Sequence, residues 1–297
     1  MIECVPNISE GVRQDLVQQI AAAAAATGCL VLDVHMDPDH HRSVVTFVGE
    51  PDVVEAGAIE LIRSSIALLD LRDHQGVHPR IGIVDVVPFI ALRDASMEDC
   101  IALARRVGEA VAERFALPVF LYGRAATRER RRGLAALRRG QITGLAERLR
   151  LPEWTPDFGP HRLHETAGAV AIGAREFLVA FNIVLDTSDV SAARDIARRV
   201  RGSNGGLPGV QALGLMLASR GLAQVSMNLV DVRTTGLQEA FDAVSQQAKA
   251  LGIGILESEI VGLVPRSAIG ESTSASIALP GDLNQSILEH RIAEANL

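Results

Sequence analysis

Apolar residues along this chain recur in two rhythms, and the switch between them marks out the elements. Residues 2–8 form a short apolar run and read as a strand, and residues 12–26 read as a helix closed by Gly28. CLVLDV (29–34) and SVVTFVG (43–49) are rich in β-branched residues and read as strands, joined by the polar loop HMDPDHHR (35–42). Val54, Ala58, Leu61, Ile62 and Leu69 fall at helical spacing, so 51–69 is a helix, with Ser65 interrupting its apolar stripe. IGIVDVVPFIAL (81–92) is a strand in which Pro88 suggests an edge position or a bend. An amphipathic helix over 96–115 and a strand over PVFLYG (118–123) follow.

The first six of these elements run β-α-β-β-α-β, the order of a split βαβ, or ferredoxin-like, unit. The second half repeats that order without a close repeat of sequence. It has a strand at 177–185, a helix at 189–201 and a strand at 222–232. A helix at 235–250 and a strand at 254–264 complete it. The segment 210–218 belongs with them as a strand, although VQALGLML equally fits a helix. The fold expected is α/β (α+β), with two ferredoxin-like subdomains, 1–175 and 176–297, and a ligand cleft between them. Their junction falls near 168–176, and GSNGGLP (202–208) reads as a flexible loop. From residue 268 the tail is polar until a short helix around 284–295.

With 297 residues, 48% of them hydrophobic, the chain can build a sizeable core. Aromatics are only 3%, so that core is aliphatic. A net charge of −7 argues against nucleic acid or an anionic membrane as partner. Lys249 is the only lysine among 29 basic residues, an excess of arginine that a GC-rich coding sequence explains. Cys4, Cys29 and Cys100 are scattered, odd in number and show no CxxC pattern, which fits a reducing cytoplasm. No basic, apolar leader opens the chain, and no run of roughly 20 apolar residues predicts a membrane span. GSNGGLP matches neither the dinucleotide fingerprint nor a P-loop.

Candidate chemistry concentrates in DHQGVHPRIG (73–82). His74 and His78 are four apart, but Gly76 and Pro79 oppose a helix and bias Val77-His78 toward extended conformations. A histidine on such a loop suits proton transfer near neutral pH. HMDPDHHR supplies His35, Asp37, Asp39, His40 and His41, a donor set for zinc or manganese or simply an acidic turn. Asn7, Asn182 and Asn228 sit in apolar strands, where a buried amide needs a partner; they face a polar ligand or tie down loops. RAATRERRRGLAALRR (124–139) is a basic patch or, more simply, a solvated helix face. WTPDFGPHRLHETAGAVAIGA (154–174) reads as a long irregular stretch at the subdomain junction, a place where ligands often bind.

Several segments taken together resemble one family. ECVPNISEG, DPDHHRSVVTFVGEP, HQGVHPRIGIVDVVPFI, PVFLYG, PDFGP and REFLVAFNIVL are similar, in register from about residue 3 to 266, to the glutamate formiminotransferases. The resemblance implies transfer of a formimino group between N-formiminoglutamate and N5 of tetrahydrofolate in histidine breakdown. It implies tetrahydrofolate as co-substrate, a folate site between two α/β subdomains, no metal, and a cytoplasmic homodimer. The catalytic histidine carries over to His78. The folate segment carries over to Gly159, Pro160, His161, Arg162, Leu163, His164, Glu165, Thr166, Ala167 and Gly168. Here His161, Arg162 and His164 replace small or apolar residues. Arg42 and Arg80 are the candidate carboxylate clamps, with Asn7, Asn182 and Asn228 as further substrate contacts. The alternatives are a related enzyme using 5-formyltetrahydrofolate or another one-carbon donor, a metal-dependent hydrolase built on His35, His40, His41 and His74, and a non-catalytic folate-binding module.

Overall fold

The first apolar run is broken in two at Val5-Pro6. β1 (Ile2–Cys4) and β2 (Asn7–Ile8) pair antiparallel with the same two neighbours, β4 (Arg42–Gly49) and β5 (Val84–Ala91). The break lies beside Pro88, whose carbonyl accepts from the Val5 N–H at 3.3 Å. The structure is a computed structural model that describes residues 1–76 and 78–295. Val77 and its expected extended conformation lie outside the described residues.

The chain forms two compact units, Met1–Arg175 and Glu176–Leu297. In the first, β3 (Leu30–Asp37) pairs with β4 on the side away from β5. Strand order is therefore β3, β4, the β1/β2 line, β5, all antiparallel. Beyond β5 lie β7 (Val170–Ala174) and then β6 (Val119–Gly123), both parallel to it. Three long helices cover one face: α1 (Gln14–Ala25), α2 (Pro51–Leu68) and α3 (Met97–Phe115). A capping box of Ser96 and Asp99 starts α3. Ser65, the break in the α2 stripe, is buried and returns its hydroxyl to the Leu61 carbonyl at 2.8 Å.

Two expectations need correction here. Pro88 is on an interior strand, because β7 covers the side of β5 that the first six elements leave open. The stretch 154–174 is not wholly irregular, since it ends in β7. A short parallel strand buried on both faces shows no alternation, and AGAVAIGA carries too much Gly and Ala to look like a strand.

The other face of β5, β7 and β6 is packed by α4 (Leu134–Arg138) and α5 (Gln141–Arg148). Alternation sorts the residues: Val170 and Ile172 point to α1–α3, while Ala169, Ala171, Phe120 and Tyr122 join Leu137, Leu145 and Trp154.

The second unit is a four-stranded antiparallel sheet of β8 (Val179–Leu185), β9 (Val210–Leu217), β10 (Leu222–Leu229) and β11 (Ile255–Val261). Their order is β11, β8, β10, β9. The ambiguous segment 210–218 is thus a strand, paired along its whole length with β10. α6 (Val190–Val200) and α7 (Leu237–Ala250) bury its apolar face, where Phe181, Ile183, Val225 and Met227 lie. The tail adds α8 (Arg266–Ile269) and α9 (Leu288–Glu294), and Ile277 and Leu283 enter the same core. Residues 202–208 form a short 3-10 turn, and the Leu207 N–H closes back on the Val200 carbonyl at 2.9 Å. Among the described residues no helix is long and apolar enough to cross a membrane.

Candidate active site around His78

Asn7 on β2 and Arg42 at the start of β4 share a sheet face with Val86 of β5, the face on which α4 and α5 pack. Arg42 binds three partners there. Its Nε donates to Asn7 Oδ1 at 2.9 Å, and its Nη2 donates to the same oxygen. Its Nη1 lies 2.7 Å from His78 Nδ1 and 3.2 Å from Asp85 Oδ2. Asn7 is fixed in turn by its Nδ2, which donates to the Val5 carbonyl at 2.8 Å.

Asp85 is the centre of this group. Asn7 pairs with Val86 and Ile8 with Val84, so Asp85 is the extra residue of a β-bulge. A bulge re-aims one side chain out of the regular alternation. The carboxylate is only 1% exposed. It accepts from Arg42, from Arg138 Nε at 3.1 Å and Nη2, and from the Ile81 N–H at 2.9 Å. Burial pushes the Asp85 pKa up, but Arg138, Arg42 and these hydrogen bonds outweigh it and hold the carboxyl ionised. Burial and the neighbouring Arg138 lower Arg42 to about 10, against which Asp85 pulls upward, so it stays cationic at neutral pH.

His78 is kept neutral. Burial lowers its pKa well below the usual histidine value, and Arg42, Arg138 and the His40 ring, 6.2 Å away, add to this. Arginine has only donors, so Nδ1 of His78 must be the acceptor, and the ring proton resides on Nε2.

The loop that carries His78 is docked on the β3–β4 hairpin. A Cβ on Gly76 would sit 2.6 Å from the His40 carbonyl oxygen and 2.7 Å from His41 Cβ. Only glycine permits that approach. His74 Nε2 reaches the His41 carbonyl at 2.8 Å, and the two rings meet edge to face at 4.3 Å. Arg80 donates to the His74 and Gly76 carbonyls at 3.2 and 3.4 Å, so it braces the loop from within. On the other side of the hairpin, buried Glu10 accepts from the Val12 and Arg13 N–H groups at 2.8 and 2.9 Å. Its Oε1 also lies 3.7 Å from His41 Nε2. Burial lowers the pKa of His74 to about 4 and lowers that of His41 as well.

His40 is paired with Asp37 at 3.1 Å. Among the described residues no group of three His, Cys, Asp or Glu side chains is arranged to hold a metal ion.

The segment Gly159–Gly168 and Ala169 after it are stitched to residues on both sides of His78. Leu71 N donates to the Thr166 carbonyl at 2.8 Å, Ile83 N to the Ala167 carbonyl at 3.0 Å, and Ala169 N to the Ile81 carbonyl at 2.9 Å. His164 closes a turn with Gly168, and its Nδ1 accepts from the Ala167 N–H at 3.1 Å. His161, Arg162 and Glu165 are exposed, Leu163 packs on the α4–α5 core, Gly159 lies against the Leu117 carbonyl and Ala112, and Pro160 is half-buried.

Asn182 and Asn228 belong to the second unit. They share the sheet face opposite α6 and α7, with Asn182 donating to Glu259 at 2.9 Å.

Asp85 and Arg138 were not among the residues the sequence singled out. A lone Asp inside IGIVDVVPF was a usable signal, because a buried carboxylate requires a cationic partner. For Arg138 the expectation was the reverse. The 124–139 segment is a solvated face only in part: Arg124, Arg130, Arg132 and Arg139 are exposed, but Arg138 reaches Asp85 and Arg131 is fully buried on Asp157 at 2.8 Å. Phe120 lies under the Arg131 guanidinium at 4.9 Å.

The site thus sets a buried, arginine-bound histidine on the loop that leads into a bulged strand of an α+β fold. The chain belongs to the formiminotransferase family. A family model described as the N-terminal subdomain of the formiminotransferase domain matches residues 1–175, and one described as the formiminotransferase domain matches 180–280. The chain is 37% identical over 294 residues to glutamate formimidoyltransferase of Streptococcus pyogenes serotype M1, covering 98% of both chains. It is 41% identical over 298 residues to the enzyme of the same name from Thermoplasma acidophilum, covering 99% of this chain and 98% of the other. Against formimidoyltransferase-cyclodeaminase of Sus scrofa it is 43% identical over 275 residues, 91% of this chain and 51% of that protein.

Proposed function

We propose that this protein is a glutamate formimidoyltransferase, moving the formimino group between N-formimidoyl-L-glutamate and N5 of tetrahydrofolate. Full-length similarity to relatives of that name supports it, and the observation that carries it to specific atoms is the Arg42–His78–Asp85 group.

The reaction forms a bond from N5 to the formimino carbon and breaks the bond from that carbon to the glutamate nitrogen. One proton leaves N5 and one arrives on the departing nitrogen. A single group that gives and takes a proton serves both ends of this exchange. His78 is that group in the proposal. A ring with little affinity for a proton in the resting site does not store one, and passes it on to the more basic leaving amine. In the resting tautomer Arg42 holds Nδ1 and Nε2 carries the ring proton, so His78 would take the proton from N5 once Nδ1 is released from Arg42, and the imidazolium so formed would return a proton to the leaving nitrogen. Asp85 supplies the compensating charge that keeps Arg42 in place. In this reading Arg80 acts on the loop, through the His74 and Gly76 carbonyls, while its buried Nε makes no hydrogen bond.

Folate is assigned to residues 159–168. Their backbone bonds to 81–83 would couple folate binding to the strand that carries Asp85. Specificity would come from the exposed His161 and Arg162 side chains.

The test is glutamate release from N-formimidoylglutamate with tetrahydrofolate, using wild type and His78→Ala. Wild type should require both substrates. The variant should lose about 10²–10⁴-fold in turnover while keeping its thermal transition. A folded variant with undiminished turnover would remove His78 from the chemistry. A wild type without transfer would remove the proposed reaction.

A further inference from the structure

Arg42 and Arg138 share one carboxylate, and they do so unequally. Arg42 has Asn7, His78 and Asp85 as partners. Arg138 spends only its Nε and Nη2 edge, and on the single oxygen Oδ2 of Asp85. Its Nη1 makes no hydrogen bond among the described residues. Its side chain is 16% exposed, and the unbonded Nη1 is not among the fully buried polar atoms, so that edge can be reached from outside. Two guanidiniums against one carboxylate, with His78 neutral, leave one positive charge without a local counter-charge.

Arg138 is also held from behind. It ends α4, and Arg148 donates to the Leu137 carbonyl at 2.8 Å and to the Arg139 carbonyl. Arg148 itself lies over Trp154 at 4.6 Å, and Leu137 is fully buried. The guanidinium is therefore pre-positioned, which lowers the ordering cost of binding a ligand to it.

We propose that the free edge of Arg138 is a carboxylate-binding subsite that seats an anionic end of a substrate beside His78. This rests on the formimidoyltransferase reading. A planar guanidinium edge matches a carboxylate fork, and an uncompensated cation in a partly enclosed site favours an anion. Both substrates bring that chemistry: the donor through its glutamate carboxylates, folate through its glutamyl tail.

The experiment varies donor and folate separately in the full-length enzyme, with Arg138→Gln and Arg138→Lys, and measures binding of glutarate to wild type and Arg138→Gln by calorimetry. Removing Arg138 leaves Arg42 and Asp85 balanced one to one, so the Gln variant should still fold; a circular dichroism melt checks this. Loss of a charged hydrogen bond should raise one KM about 10- to 100-fold, with kcat changing much less and Lys recovering part of the loss. A rise for N-formimidoylglutamate alone assigns the donor's carboxylate, and a rise for tetrahydrofolate alone assigns the folate tail. Unchanged KM values, or a fall in kcat alone, would overturn the subsite and leave Arg138 as a brace for Asp85. Should wild type show no transfer, the reading of the reaction fails, yet the subsite still stands or falls with glutarate. Binding lost in Arg138→Gln supports it, and equal or absent binding in the two proteins overturns it.

Discussion

The two sheets are laid out alike, and among the described residues the buried Arg42–Asp85–Arg138 group belongs to the first of them. In each unit the last strand of the β-α-β-β-α-β series lies next to the first. In the second unit that last strand, β11, is an edge. In the first, β7 and β6 extend the sheet past β5, and α4 and α5 cover the added face. The consequence falls on one residue. On an edge strand Asp85 would be solvated. Inside the extended sheet it is buried, and it holds Arg42 and Arg138 in fixed positions. The corresponding polar face of the second unit has Asn182 bonded to Glu259 and a buried Gln224 whose Oε1 lacks a hydrogen bond. The Arg42–Asp85–Arg138 group sits where the first unit departs from the shared plan.

Asp85 is where that contrast should break hardest. Asp85→Ala leaves two partly buried guanidiniums facing each other without their counter-charge, and should cost about 3–5 kcal/mol of stability. Asp85→Asn keeps the shape and part of the hydrogen bonding and should cost less. Urea unfolding read from Trp154, the single tryptophan and a residue of the first unit, gives both numbers. Equal, small losses for the two variants would mean that the added strands do not concentrate charge as argued.

Arg42→Gln tests the next link. The cation beside His78 is removed while a polar side chain remains. The His78 pKa should climb part of the way back toward the ordinary histidine value, with burial, Arg138 and His40 still holding it down. An NMR titration of the His78 ring proton reads this directly. No movement would show that Arg42 does not contribute to the neutral ring.

Acid should separate the units further. Seven of the eight histidines lie in the first unit, and His41, His74 and His78 all have lowered pKa values there. Above pH of about 6.5 these groups are neutral whether the chain is folded or not, so they do not alter stability. Below it the unfolded chain takes up protons that the fold refuses, and stability falls as pH falls. For His74 the loss ends near its folded value of about 4. Asp85 and Glu10 have lowered pKa values, and their contribution is present above a pH of about 4 and lost below it. Trp154 fluorescence in urea at pH 7, 6 and 5.5 should show the midpoint dropping before the carboxylates titrate. A flat response from pH 7 to 5.5 would contradict it.

The element order of both units was legible because amphipathic helices and β-branched strands announce themselves by period. β7 was not, because a strand of Val, Ala, Ile and Gly buried on both sides has no alternating pattern. Of the site, His78, Arg42 and Asn7 were within reach of sequence reasoning, and the structure brings these three together. Arg80 was also singled out, but as a clamp, and only the backbone carbonyls around it show that it braces the loop. Asp85 offered a weak signal as one acid in an apolar run. Arg138 offered none, since nothing local distinguishes it from the six other arginines of its segment. Its role depends on α4 packing through Leu137 against Phe120 and Tyr122.

The smallest effect is expected from the two asparagines that most resemble each other in sequence. Asn7 and Asn182 each sit in the first strand of their unit, and each bonds a charged side chain. Asn7→Ala strips Arg42 of the acceptor that fixes two of its nitrogens, so Nη1 loses its aim at His78. Turnover should fall while stability changes by only about 1–3 kcal/mol. Asn182→Ala removes one hydrogen bond to Glu259 and should cost a similar amount of stability, leaving kcat in place. Matched kinetics on the two variants decide the matter. A KM that rises with Asn182→Ala would show that the polar face of the second sheet also takes substrate, and the division of labour between the units would then be one of degree.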